Sequence, residues 1–185
     1  MKELTIVKDN GTTHRLINSD FLEVHELPKV DAVIADTPFG TTRCKWDSVI
    51  DLPSMWSWLK PVRSDRTPVL LFSQLPYDKV LGASNLKDLR YEWIWEKTAA
   101  TGHLNAKKMP MKCHENILVY YKKLPLYNPQ KTTGHKPANM FYTRKSNECY
   151  NDASKVTSGY RQTDRYPRDV LKYASDKQKL SLNST

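Results

Sequence analysis

Asp36, Thr37, Pro38 and Phe39 form the run with the clearest chemical potential in this sequence. They follow Asp31-Ala-Val-Ile-Ala35, a brief apolar stretch that reads as a strand buried on both faces. The carboxyl end of such a strand is where open α/β folds place their ligands. A carboxylate and a nearby main-chain carbonyl can accept both hydrogens of one amino group, while an aromatic ring stacks on a flat heterocycle. That combination suits the exocyclic amine of adenine or cytosine. Its lone pair is delocalised into the ring, so two acceptors must draw the nitrogen towards tetrahedral geometry before it can take a methyl group. Pro38 fixes the turn and keeps the Thr37 carbonyl aimed. Taken alone, an aspartate after a strand is more often a turn or helix cap.

Other side chains have two readings each. Asp20 can cap the helix that follows it. Ser73-Gln74 can be a plain turn after a strand. His114-Glu115 have no second ligand pair at zinc spacing, so no metal is expected and they read as structural groups opening a strand. Trp93 and Trp95 read as core, and Cys113 as a small buried hydrophobe.

The elements that position these residues can be read from pattern. Residues 4–8 and 14–18 flank Asp9-Asn-Gly-Thr12 and predict a hairpin. Ser19-Asp20 predicts a short helix from Phe21 to Leu27, stopped by Pro28. Leu52, Met55, Trp56 and Leu59 recur at helical spacing, and Tyr77 to Leu86 reads as a second helix. Strands are expected at Pro68–Phe72, Tyr91–Trp95 and Glu115–Tyr121, with a short apolar segment at Arg168–Tyr173. This alternation predicts the α/β class with a largely parallel sheet. Residues 125–165 are rich in Pro, Asn, Thr, Ser, Lys and Tyr and read as a loop-rich basic insert. The expected organisation is therefore a core over 1–124, the insert over 125–165 and a return segment over 166–185.

Charge narrows the partner. The chain of 185 residues carries a net charge of +9. Residues 1–96 hold 12 basic and 14 acidic side chains (−2), whereas residues 97–185 hold 17 and 6 (+11). Such a basic half suits a polyanion. Lys107, Lys108, Lys112, Arg144, Lys145, Arg161, Arg165 and Arg168, interleaved with Tyr142, Tyr150 and Tyr160, are the expected nucleic-acid contacts. No run approaches the roughly 18–20 apolar residues of a spanning helix, so no membrane is expected. Three cysteines at no metal spacing suit a reducing cytoplasm. The six glycines stand at 11, 40, 82, 102, 134 and 159, so no glycine-rich phosphate or nucleotide turn is present.

With those residues in view, the chain resembles the permuted, β-type, adenine-specific DNA amino-methyltransferases often found in phages and mobile elements. Asp36-Thr-Pro-Phe-Gly40 is similar to that family's Asp-Pro-Pro-Tyr-Gly motif. Leu16-Ile-Asn-Ser-Asp20-Phe-Leu-Glu-Val24, Lys45-Trp-Asp-Ser-Val-Ile50, Tyr91-Glu-Trp-Ile-Trp-Glu-Lys97 and Thr101-Gly-His-Leu-Asn-Ala-Lys107 follow the family order. So do His114-Glu-Asn-Ile-Leu-Val-Tyr120, Tyr127-Asn-Pro-Gln130 and Arg165-Tyr-Pro-Arg168. The resemblance spans residues 14–180 and implies a partial Rossmann-like methyltransferase sheet. It implies double-stranded DNA as partner and S-adenosylmethionine as donor, with Asp20, Ser73 and Gln74 on the donor side. Asp36 and the Thr37 carbonyl would accept from the adenine N6 amine, and Phe39 would stack on the flipped base.

Two departures stand out. Thr37 replaces the first proline of the motif, adding an N–H and some backbone freedom, although preceding Pro38 still favours extended geometry. The family's Phe-x-Gly-x-Gly-like donor loop has no counterpart here. Relatives resembling this chain continue after Lys-Leu with His-Ser-Thr-Gln or His-Pro-Thr-Gln, and one inserted T before CAC-TCA-ACT-CA would instead encode Ser181-Leu-Asn-Ser184. The expectation is a chain inactive by itself. It would be a DNA-binding remnant, or one half of a split enzyme completed by a second polypeptide or covered by homodimerisation.

Overall fold

The computed structural model describes residues 1–139 and 161–173. One compact unit runs from Met1 to Leu126 and resumes at Val170; the other is Tyr127–Asp169.

The first unit opens with the expected hairpin, β1 (Lys2–Val7) paired antiparallel with β2 (Thr13–Asn18). Arg15 grips Glu3 with two hydrogen bonds of 2.6 and 3.0 Å across it. Asp20 then caps a single 3-10 turn, Phe21–Glu23, accepting from the Leu22 amide at 3.0 Å. The expected helix to Leu27 does not form. The Val24 carbonyl would need the N–H of residue 28, which is proline and has none. The Trp58 indole takes that carbonyl instead, at 2.8 Å.

A five-stranded sheet follows in the order β3 (Val33–Ala35), β4 (Val69–Ser73), β6 (Lys112–Tyr120), β5 (Leu89–Thr101), β9 (Val170–Tyr173). β3 and β4 are parallel, as are β5 and β9, but β6 runs antiparallel to both of its neighbours. The sheet is therefore mixed rather than largely parallel. The cause is local: residues 102–111 join β5 to β6 without the crossover helix a parallel return needs.

α1 (Leu52–Val62) starts at Asp51, whose carboxylate accepts from the Ser54 amide at 3.0 Å, with Pro53 in the first turn. It buries Leu52, Met55, Leu59 and Val62. α2 (Tyr77–Ser84) adds Tyr77 and Leu81. Both helices pack with Val69, Leu71, Leu118 and Tyr120 in one core. Each fully buried side chain of this size contributes roughly 1.5–3 kcal/mol. The Tyr120 hydroxyl, wholly buried, donates to the Leu81 carbonyl at 3.0 Å.

The strand enclosed on both faces is β6, where Ile117 to Tyr120 are all buried. β3 is instead an edge strand. Val33 and Ala35 pack against the core, while Ile34 on the other face is 70% exposed. Trp93 and Trp95 are half-buried on that same second face, where Trp95 meets Phe72 edge-on at 6.2 Å. Cys113 lies exposed rather than buried, because β6 is solvent-facing at that end. The second unit contains the antiparallel pair β7 (Ala138–Asn139) and β8 (Arg161–Gln162), with a bridge between Thr132 and Arg165. Among the described residues, no helix is long and apolar enough to cross a membrane.

Candidate functional site

Asp36 to Phe39 leave β3 at its carboxyl end, and the following turn is held by a group the motif does not contain. The Asp47 carboxylate, almost wholly buried, accepts from the amides of Gly40, Thr41 and Thr42 at 2.8, 3.0 and 2.7 Å. The Thr42 hydrogen bond, with the backbone amides behind it, draws the Asp47 carboxyl down to about 2. Gly40 makes the turn possible with φ +66°, and a Cβ there would meet Val49 Cγ2 at 2.6 Å.

Two further contacts hold the motif itself. The hydroxyls of Thr37 and Tyr77 share a hydrogen bond at 3.3 Å, and Phe39 stacks on Tyr77 with ring centres 5.7 Å apart. Thr37 is thereby tied by its side chain to the start of α2. Asp36, Thr37 and Pro38 line a cavity of about 360 Å³, walled by apolar groups including Phe21, Ile50 and Trp58. This is at the small end of the roughly 300–1,000 Å³ range of ligand clefts.

Asp36 is open to solvent, yet its carboxyl is raised above the ordinary value of 3.8. Partial burial is the main cause and the Glu115 carboxylate adds to it, while Lys97 opposes them. Lys97 forms an ion pair with Glu115, and its ammonium lies 4.7 Å from the centre of the Trp95 ring. A carboxyl raised in this way at a strand end is the kind of perturbation that marks functional sites.

The remaining sequence-predicted residues divide. Gln74 is engaged at both ends of its amide: Nε2 donates to Thr41 Oγ1 at 2.7 Å, and Lys112 Nζ donates to Oε1. Lys112 is half-buried, and that burial lowers its pKa. It therefore braces the 40–42 turn through Gln74. The Ser73 hydroxyl is wholly buried and donates to the Asn116 carbonyl at 3.4 Å. Lys107 and Lys108 are exposed beyond the end of β5. In the second unit, the Arg165 guanidinium donates to the Asp164 and Lys136 carbonyls at 2.8 and 2.7 Å, and Arg168 is exposed. Arg161 lies on β8. Arg144 and Lys145, with Tyr142, Tyr150 and Tyr160, fall outside the described residues.

Asp47, Tyr77 and the Lys97–Glu115 pair are the groups that sequence reasoning missed. Asp47 sat in view within Lys45-Trp-Asp, but its role depends on a turn folding back seven residues, which no periodicity reports.

No family model matches the sequence, and no curated protein matches it. Among solved structures, the chain is similar to the crystal structure of the M1.HpyAVI–SAM complex at 19% identity and a TM-score of 0.41, covering 63% of this chain and 55% of that one. It is also similar to the crystal structure of M1.HpyAVI at 17% identity and a TM-score of 0.39, covering 52% and 45%. The chain spans about half the length of these solved structures.

Proposed function

We propose that this chain is the base-pocket and DNA-recognition portion of an S-adenosylmethionine-dependent DNA adenine-N6 methyltransferase. The observation that carries the reading is the turn at the end of β3, where Asp36, Thr37 and Pro38 line a cavity of about 360 Å³ and Asp47 holds the loop behind them. In this reading the Asp36 carboxylate and the Thr37 carbonyl accept the two N6 hydrogens of a flipped adenine. Pro38 and the Thr37–Tyr77 hydrogen bond hold the carbonyl's direction, and Phe39 presents a ring already braced by Tyr77. Aspartate at the first motif position favours adenine over cytosine by the resemblance. Lys107, Lys108 and Arg168 are exposed and suit phosphate contact.

Ser73 and Gln74 do not fit the duty of holding the methyl donor. The Ser73 hydroxyl and the Gln74 amide are already engaged within the protein, and the Asp20 carboxylate caps Leu22. The reading therefore leaves the donor to residues other than Ser73 and Gln74, with the exposed Asp20 still a candidate. The free edge of β3, with Ile34 exposed, supports a second polypeptide or a second copy of this chain beside it. A purely DNA-binding role is the second reading. It is favoured by glycines never closer than 20 residues apart, a spacing unlike that of donor-binding turns.

Incubation with duplex DNA and methyl-labelled S-adenosylmethionine, with and without candidate partner chains, tests the proposal. The expected result is no label from the chain alone and label on adenine N6 in the supplemented reaction, lost in Asp36→Ala. Adenine labelling that survives Asp36→Ala overturns the base pocket, and absence of duplex binding overturns the DNA reading.

A further inference from the structure

The connection between β5 and β6 is an arm rather than a simple turn. Register runs across the sheet through Ala35, Leu71, Leu118 and Glu92, so β5 continues nine residues past the level of Ala35. The register shifts between Glu96 and Thr101, so Thr101 lies opposite Lys112, six β6 residues from Leu118 and roughly 20 Å beyond at about 3.3 Å per residue. β3, β4 and β5 all point the same way, because each of β4 and β5 is antiparallel to β6 and β3 is parallel to β4. The arm therefore leaves the sheet at the edge that bears Asp36. Every residue from Thr98 to Met111 is exposed.

The composition of the arm is unusual for an exposed segment. It contains no acidic residue, and it carries Lys107 and Lys108 together with His103. It also holds Leu104, 87% exposed, Met109, 58% exposed, and Met111, 41% exposed. Single exposed hydrophobes are ordinary, but three on one projecting cationic segment are not. The tip is preshaped: Gly102 at φ +90° turns the chain into the short 3-10 turn His103–Asn105, closed by the bond from the Asn105 amide to the Gly102 carbonyl at 2.9 Å. Leu104 sits in the middle of that turn.

A cationic surface around an apolar point matches duplex DNA, which is anionic outside and apolar between its stacked bases. We propose that Leu104, supported by Met109 and Met111, is a wedge that inserts between base pairs while Lys107 and Lys108 hold the flanking phosphates. An apolar wedge offsets part of the lost stacking when a neighbouring base leaves the helix. The arm is thereby the partner of the Asp36 pocket, opening the duplex from the same edge of the sheet that receives the base. The inference rests on the DNA reading above.

Because inserting a wedge costs stacking energy, a duplex already open at one position should bind better. The 185-residue chain is titrated against a 30-base-pair duplex, fully paired or with one central abasic site, at low and physiological salt. The intact chain is expected to prefer the abasic duplex by about tenfold. Leu104→Ala with Met109→Ala should erase that preference while still binding the paired duplex. Lys107→Ala with Lys108→Ala should weaken both duplexes alike and lower the salt slope by about 2. A preference that persists without Leu104 and Met109, or that the intact chain never shows, overturns the wedge while leaving the DNA reading standing. No binding to either duplex overturns both, and Leu104-dependent binding to anionic lipid vesicles in place of DNA overturns the wedge in favour of a membrane contact.

Discussion

The turn from Asp36 to Asp47 and the arm from Thr98 to Met111 leave the same edge of one sheet and are built on opposite terms. In the turn, one carboxylate collects three backbone amides, a glycine takes a conformation closed to other residues, and Tyr77 tethers both Thr37 and Phe39. In the arm, local backbone bonds such as Lys108 to Asn105 at 2.8 Å shape the chain, and the side chains face water. A loop without a core of its own can be made rigid by satisfying its amides on a single charged acceptor. A loop whose apolar and cationic side chains lie exposed presents them to another molecule. The first arrangement suits a site that must hold a carbonyl in one direction, and the second suits a surface that meets its partner from outside.

The contrast can be broken most severely at Asp36. In the supplemented methylation reaction, Asp36→Ala should lower the rate by about 10²–10³-fold, the usual effect of removing one preorganised hydrogen-bonding group at a reacting centre. Circular dichroism should report an unchanged fold.

Gly40→Ala should be the most damaging single change to the turn. The left-handed backbone costs about 1–2 kcal/mol with a side chain present, and displacement of Val49 adds to it. Urea denaturation would measure the loss, and an unchanged midpoint would mean that the turn is not held as described.

Acid should loosen the turn in a defined window. The Asp47 carboxyl is lowered from 3.8 to about 2 in the folded protein, so its contribution is complete above pH 4 and disappears as pH falls towards 2. Asp47→Asn should therefore narrow its stability deficit as the pH is lowered through that range. Asp36 has the opposite sign. Its folded carboxyl is raised, so ionisation opposes folding once the pH exceeds the ordinary value. Asp36→Asn should raise the melting temperature at pH 7 and leave it unchanged at pH 3.

The smallest effect belongs to the arm. Leu104→Ala should change stability by less than about 0.5 kcal/mol, since the side chain is 87% exposed. A larger loss would show that the arm is packed, and would remove the contrast with the turn.

Much of this was legible beforehand where the signal is local. The hairpin followed from the two runs flanking Asp9-Asn-Gly, and α1 from the helical spacing of Leu52, Met55, Trp56 and Leu59. Asp36 is a candidate in the sequence because a carboxylate, a proline and an aromatic stand together after an apolar run, and the structure places it at the end of β3 beside a cavity. The direction of β6 was not, since direction depends on whether the link at 102–111 crosses over or turns back. Nor were the duties of Gln74 and Lys112, whose hydrogen bond joins residues 38 positions apart.

What the sequence by itself determined is the order of the main helices and strands, the residue types gathered at 36–39 and the concentration of charge after residue 97. These are properties of neighbouring residues, and helical and strand periodicities are read within one or two turns of chain. Tertiary structure alone decided that β3 is an edge, that β6 lies between β4 and β5, and that Asp47 and Tyr77 hold the motif. It also decided that Lys112 braces a turn while Lys107 and Lys108 project on the arm. Each of those outcomes depends on which distant residues meet, and that is set by burial and hydrogen-bond satisfaction over the whole sheet rather than by any short pattern along the chain.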